Sequence, residues 1–479
     1  MIKRLIILFF TITYFASAQN YGTLSFTNYA DDRKAAFSLT FDDGLLTHST
    51  NVKPLLNQYG FKGTFYVLPP YLAEDNQPLI WRYGRWSDFQ MIAAEGHEVG
   101  SHTMNHDTLT NLDWGNINSP GTLLYELYQS KLFIEQKIPS QKCISLNYPY
   151  TLHNSLVDSA AKLFYENGRT LGQTANDSVL FGNDWFSLKA KVVEFSMPRD
   201  SVDDDLGELY SFINWLGIAV TKKQWGMIII HDVVPFNELQ SLINNGIYEP
   251  VTNEWLGWLC DWLEVKSLNK EIWVETVGNI TRYIKEREAA AYQILTSNNQ
   301  LIEINVTDNL DNEIYNYPLT AYVKIPESWH YVRVQQNTRI DTLPTLLDNS
   351  VRKVLLNVIP DKGLLNITPV TPTDISTEDI PLNDFILFQN YPNPFNPETN
   401  IRYSLGSREF VSLKVYDVLG KEVAVLVSEY QDAGLHTVNF NTDQYNLSSG
   451  IYLYRLQSGG ESYGSGSNFS QTKKMIYLR

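Results

Sequence analysis

Ala35-Ala36-Phe37-Ser38-Leu39-Thr40-Phe41-Asp42-Asp43-Gly44 is the stretch that decides the fold. An apolar run bounded by a turn signal reads as a strand buried on both faces. Gly44 permits a sharp exit, so Asp42 and Asp43 fall at the strand's end. Neighbouring side chains on extended backbone point to opposite sides, but a bend at a strand terminus brings both into one cleft. One carboxylate can then hold a metal while the other stays free as a base.

Outward from that strand, residues 30–290 alternate apolar strands with helical stretches. Phe61 to Val67 reads as a strand, and Trp86 to Glu95 as a helix with Ser87 as its N-cap. Ile272-Trp273-Val274 is a strand, and Thr276 caps a helix whose Val277, Ile280 and Ile284 fall at helical spacing. Alternating strand and helix implies a parallel sheet, here a distorted (β/α) barrel, with functional residues at the strands' C-terminal ends.

Further polar groups stand at such ends. In Ser101-His102-Thr103-Met104-Asn105-His106 the imidazoles are four apart, a spacing expected to place them on one helical face. One aspartate and two histidines leave coordination positions open for water and substrate, the pattern of catalytic zinc. Similar sets hold iron, so the ligands leave the metal open. Trp225 to Asp232 is an apolar strand ending in His231, a candidate general acid. In Leu146-Asn147-Tyr148-Pro149-Tyr150 the N–H after the proline can face an oxyanion. Asn183-Asp184-Trp185 offers a carboxylate to orient a histidine and an indole to stack on a sugar. Alone, Asp-Asp-Gly is usually a turn and His-x3-His usually an ordinary pair; their joint placement carries the weight. His97 reads as structural. Of Trp81, Trp86, Trp185 and Trp225, most read as core.

Taken in order, these motifs resemble the polysaccharide deacetylase family, carbohydrate esterase family 4. The resemblance spans five motifs and implies a seven-stranded (β/α) barrel. It implies Asp42 as catalytic base, Asp43, His102 and His106 as metal ligands, the Tyr150 N–H as oxyanion donor, Asp184 in the Asp-Trp motif, and His231 as acid. The cofactor implied is a divalent metal, zinc by preference. Ile228 stands where leucine is usual, and Asn147 replaces the arginine that holds the base's charge in the family. Arg169 or Arg199, from another loop, is a candidate substitute. The activity implied is metal-dependent hydrolysis of acetyl groups from a polysaccharide or oligosaccharide, N-acetyl favoured. The alternatives are an O-acetyl xylan esterase and a non-catalytic glycan-binding protein.

The chain has 479 residues, room for several domains. Lys3 and Arg4, an apolar run from Leu5 to Phe15 and Ala16-Ser17-Ala18 read as a signal peptide over residues 1–18. The apolar run is too short to span a bilayer, and no later stretch qualifies. A net charge of −16 argues against nucleic acid as a partner. Cys143 and Cys260 are too few for a disulfide framework, and both lie in apolar surroundings.

After residue 290 helices stop. Residues 291–370 alternate polar and apolar, as in Leu301 to Val306 and Leu319 to Ile325, and read as a small β-sandwich. Residues 371–384 read as a linker. Residues 385–479 form a second all-β sandwich, opening on Asn390-Tyr391-Pro392-Asn393-Pro394-Phe395-Asn396-Pro397, with a hairpin turn at Asp417 to Gly420. With Val415 to Gly420 and Ser449-Gly450-Ile451-Tyr452, this tail resembles the C-terminal sorting domain of the type IX secretion system. That resemblance implies the secretion machinery as a partner and release at the surface of, or outside, a Gram-negative cell of the Bacteroidetes type, via the periplasm.

Overall fold

In the computed structural model seven parallel strands close on themselves. They are preceded by a short strand, β1 (Leu24–Phe26). The barrel strands are β2 (Ala35–Phe41), β3 (Gly63–Val67), β4 (Glu98–Ser101), β5 (Ser145–Asn147), β6 (Asn167–Leu171), β7 (Leu188–Val192) and β8 (Trp225–Ile230). They pair in that order, and β8 pairs back onto β2. Every residue of β2 and β8 is buried, as strands enclosed on both faces must be. The structure describes residues 21–370 except 181, 196 and 198, and 386–477 except 389, 391, 394, 406–407, 418–420, 433, 446 and 459–468. The signal peptide at 1–18, the linker at 371–384 and residues 418–420 of the hairpin turn lie outside the described residues.

Helices cover the barrel: α1 (Lys53–Tyr59), α2 (Trp86–Ala94), α3 (Leu123–Lys137), α4 (Ser155–Ala161) and α5 (Leu206–Thr221). Ser87 lies inside α2 rather than capping it; Asp88 accepts from the Arg85 backbone N–H at 2.8 Å and closes that end instead. After β8 comes an excursion of β9 (Val233–Val234), α6 (Phe236–Asn244) and β10 (Val251–Thr252), then α7 (Asn253–Leu268). β11 (Ile272–Val274) pairs with the start of β2. α8 (Val277–Ala289) is capped by Thr276, whose hydroxyl accepts from the Asn279 N–H at 3.1 Å, and buries Val277, Ile280 and Ile284.

The following module is a sandwich of β12 (Ala291–Ser297), β13 (Ile302–Thr307), β14 (Leu319–Lys324), β15 (Tyr331–Gln336), β16 (Arg339–Pro344), β17 (Leu346–Asp348), β18 (Val351–Val358) and β19 (Leu365–Pro369). Its sheets run β1-β14-β18-β17 and β12-β13-β19-β15-β16. The module therefore does not begin at residue 291: β1, from before the barrel, is its edge strand, with Leu24 opposite Val323. In the tail, Ile386–Leu387, Glu398–Leu405 and Gly434–Asn441 form one sheet; Glu422–Gln431, Glu409–Asp417, Gly450–Ser458 and Phe469–Tyr477 form the other. Its core is its own, around Ile401, Leu413 and Tyr454. Among the described residues no helix is long and apolar enough to cross a membrane.

Candidate active site

The polar cluster sits at the C-terminal rim of the barrel. Asp42 and Asp43 follow β2 directly, and Asp43 (φ 76°) and Gly44 (φ 71°) both adopt left-handed backbone. Two such residues in succession turn the chain sharply, which puts Asp43 beside the histidines. Oδ1 of Asp43 lies 3.5 Å from His102 Nε2 and 4.0 Å from His106 Nε2. The three ligand atoms lie within 4.8 Å of one another.

The histidines do not stand on a helix. His102 directly follows β4, and the chain then runs as a loop with Thr103 (φ 68°) and His106 (φ 63°) left-handed. The loop turns back on itself and brings the rings to a centroid distance of 4.6 Å. Glu126 of α3 clamps it: buried, its carboxylate accepts from the Asn105 backbone N–H at 2.7 Å and side-chain amide at 2.6 Å. His102 Nδ1 donates to the Asn147 carbonyl at 3.0 Å. That fixes the tautomer and leaves Nε2 as a lone pair facing Asp43. Burial depresses the pKa of both histidines, that of His102 to about 3, so both remain neutral. Burial pushes the Asp43 carboxyl up, a cost that a cation among these ligands offsets.

Asp42 is 3% exposed. Burial alone would raise its pKa, but the Arg169 guanidinium, His102 and His231 outweigh that and hold it near about 2. Arg169, buried on β6, donates from Nη2 to Asp42 Oδ2 at 2.5 Å and from Nη1 to the Thr40 hydroxyl at 2.5 Å, with its guanidinium 5.0 Å from the Tyr66 ring centroid. The Asn147 amide donates to the same Asp42 oxygen at 3.0 Å. Asp42 Oδ1 is buried and has no hydrogen-bond partner among the described residues. His231 Nε2 is 3.9 Å from Asp42 Oδ2. The buried, neutral His48 donates from Nε2 to the His231 carbonyl at 2.8 Å. Tyr150 (φ 54°) sets its exposed ring 4.7 Å from His106.

Residues 29–167 match the family model for polysaccharide deacetylase, and residues 389–466 match the one for the secretion system C-terminal sorting domain. The chain carries a polysaccharide deacetylase domain. Over 357 residues it is 27% identical to a gellan lyase of Bacillus sp, covering 73% of this chain and 13% of the lyase. Over 120 residues it is 35% identical to a chitin deacetylase of Pestalotiopsis sp, covering 25% of this chain and 36% of that enzyme. The chain thus spans well under two thirds of the length of these relatives. Among solved structures it is similar to the Xyl-CE4 domain of a multidomain xylanase from the hindgut metagenome of Trinervitermes trinervoides, at a TM-score of 0.29 and 20% identity, covering 50% of this chain and 97% of that one.

Two positions depart from the expected deacetylase layout. Asn147 and Arg169 are register partners on adjacent strands, so the guanidinium on Asp42 comes from the strand next to the one that carries the motif. Arg199 does not reach the site; it is a bidentate partner of Asp205 at 2.6 Å and holds the Pro250 carbonyl. Asp184 is not brought to His231. It lies, exposed, in the turn before β7, at the opposite end of the barrel from the C-terminal end of β8. Trp185 is buried there, with Lys285 Nζ 5.0 Å from its ring centroid. Trp86 and Trp225 are buried too, whereas Trp81 is exposed. His97 is buried and accepts from the Gly63 N–H at 3.1 Å, a structural role. Both cysteines are buried free thiols.

Sequence reading missed Glu126, Tyr248 and Asp232. Tyr248 packs its ring edge-on to His231 at 5.4 Å. Asp232, fully buried, pairs with Arg82 at 2.6 Å and accepts from the Thr47 hydroxyl at 2.5 Å. Of these, only Asp232 carried a signal, a carboxylate directly after a strand-end histidine.

Proposed function

We propose that the chain is a metal-dependent deacetylase that hydrolyses acetyl groups from a polysaccharide or oligosaccharide, with N-acetyl groups favoured. What supports this most is one juxtaposition: a three-ligand cluster beside a buried aspartate kept ionised by Arg169, with an imidazole 3.9 Å from that aspartate. The separations of 3.5 and 4.0 Å fit ligands sharing one cation at about 2.0–2.2 Å each. Asp43, His102 and His106 would hold it, and zinc suits this donor set. A bound divalent cation supplies Lewis acidity, polarising the acetyl carbonyl and lowering the pKa of water.

The chain's own residues supply the rest. Asp42, with Oδ1 unpartnered, takes the proton of the attacking water. Its charge rests on Arg169, and Asn147 fixes the carboxylate's orientation. The Tyr150 N–H donates to the carbonyl oxygen as negative charge develops there. His231 donates a proton to the leaving nitrogen. Acid and base of this kind each supply roughly 10²–10⁴ in rate.

The tail supports export by the type IX machinery to the surface of, or out of, a Gram-negative cell through the periplasm. Acetate release from chitin oligomers and acetylated xylan, with and without chelator, tests the activity. Release from chitin oligomers that chelator abolishes is the expected result. Release from acetylated xylan alone would make the protein an O-acetyl esterase. Release from neither would leave a glycan-binding protein.

A further inference from the structure

Asp184 does not reach His231, and the acid's loop is held from another side. Just past the Asp43–Gly44 bend, His48–Val52 forms one wide helical turn, closed by the Lys53 N–H on the His48 carbonyl, that leads into α1. From this turn three side chains reach three consecutive residues of the acid's loop. The Thr47 hydroxyl donates to Asp232 Oδ1 at 2.5 Å, His48 Nε2 to the His231 carbonyl at 2.8 Å, and the Asn51 amide to the Val233 carbonyl at 2.8 Å. The Asp232 carbonyl accepts from the Val251 N–H at 2.9 Å, and the Ile230 carbonyl from the Asp42 N–H at 2.9 Å. The backbone is thus held at every carbonyl from Ile230 to Val233.

Of these contacts, the one from His48 is the least explained by packing. The ring is fully buried among Phe41, Phe65 and Phe89, at centroid distances of 5.8, 5.6 and 6.4 Å. Burial holds it neutral. Its Nδ1 has no hydrogen-bond partner among the described residues. A buried polar atom left unpaired is a cost, and a phenylalanine would fill this slot without it. What the imidazole adds is its bond to the residue that carries the acid. His231 Nε2 stands 3.9 Å from Asp42 Oδ2, and a misplacement of about 1 Å in such a pair costs roughly 10²-fold in rate.

We propose that His48 is a positioning residue for the general acid: through the His231 backbone it sets where that imidazole stands against the leaving atom. This rests on the deacetylase reading above. As acetate forms, the C–N bond breaks, its electron pair passes to nitrogen, and nitrogen takes a proton from the His231 ring. A group that leaves as a stable anion needs no such proton. Its hydrolysis therefore separates displacement of the acid from damage to the rest of the site.

The test uses the N-acetylglucosamine tetramer or acetylated xylotetraose, whichever the wild type cleaves, beside 4-nitrophenyl acetate, whose phenolate leaves unprotonated. His48→Phe keeps the aromatic packing and removes the donor. It is expected to lower kcat on the sugar substrate roughly 10²-fold with KM near wild type, and to leave chelator-sensitive 4-nitrophenyl acetate hydrolysis within about threefold. His48→Gln, which keeps a donor at the end of its side chain, is expected to recover most of the loss. Where His48→Phe does not fold, His48→Met takes its place. Equal loss on both substrates in a folded variant, or loss on neither, overturns the role. The rate at which diethyl pyrocarbonate modifies His231, followed by peptide mass spectrometry, reads the ring's placement without turnover. That rate is expected to change severalfold in His48→Phe and to match wild type in His48→Gln. Absence of acetate release from every wild-type assay sinks the deacetylase reading instead, and the modification rate then decides: a changed rate upholds the positioning and an unchanged one overturns it.

Discussion

At the scale of single residues Asp42 is the proposed base, and Arg169 sets its charge state. Its folded pKa of about 2 lies below the unfolded value of about 3.9. The ionised form therefore contributes stability above that value, and the contribution is lost as pH falls through about 2. The same shift keeps the base ionised across the neutral range. Arg169→Met leaves the burial penalty and removes the opposing charge. Turnover is expected to fall roughly 10²-fold, and the acidic limb of the pH profile to move upward; steady-state kinetics across pH would read both, and an unmoved limb would remove Arg169 from this role. Asp42 and Asp43 were legible in the sequence because a strand-end Asp-Asp-Gly admits few other uses beside two histidines. Arg169 was legible only as one of two choices. Cross-strand register with Asn147 decides it, and register in a parallel sheet is a long-range property that no local pattern encodes.

At the scale of elements, loops rather than helices build the proposed metal site. The spacing of His102 and His106 invited a helical reading because one turn of helix and a tight loop return on themselves in similar lengths. Left-handed Thr103 and His106 mark the loop, and neither residue type announces such backbone. What holds that loop is Glu126, 21 residues on from Asn105 and brought to it only by folding. Glu126→Ala is expected to weaken metal affinity roughly 10–100-fold, as loss of an outer partner of a metal site does. Metal titration of the purified variant checks this, and wild-type affinity would count against the clamp. His102→Ala and His106→Ala should lose the metal outright, whereas Asp42→Asn should retain it and lose most activity; elemental analysis beside acetate release separates the classes. Asp184 misled for a related reason. Its Asp-Trp pair matches a motif, but it precedes β7 instead of following a strand, and the short run Leu188–Val192 that decides this does not stand out as a strand in the sequence.

The whole molecule ties barrel to sandwich along α8. Arg282 donates to the Ile314 carbonyl at 2.8 Å, the Thr27 and Tyr283 hydroxyls meet at 2.9 Å, and Glu286 accepts from the Tyr317 N–H at 2.9 Å. Burial raises the Glu286 pKa to about 8, above the unfolded value of about 4.3. Between those values the folded chain holds a proton that the unfolded chain releases, so stability falls as pH rises through this window. Glu286→Gln is expected to flatten the dependence of melting temperature on pH from about 5 to 8; an identical slope in both proteins would refute it. The sandwich and tail were legible from strand alternation and proline-rich turns. The return of β1 into the sandwich was not, because three residues, Leu24–Phe26, carry too little pattern to name a partner some 300 positions away. Removing residues 385–479 is expected to leave the protein in the periplasm, as fractionation of the producing cell would show; normal release would contradict the sorting role. The central claim, that Asp43, His102 and His106 gather one cation beside Asp42, is tested most directly by returning zinc to chelator-treated protein while following acetate release. The account predicts activity that climbs from near zero and saturates at about one equivalent per chain; activity indifferent to chelation and zinc would contradict it.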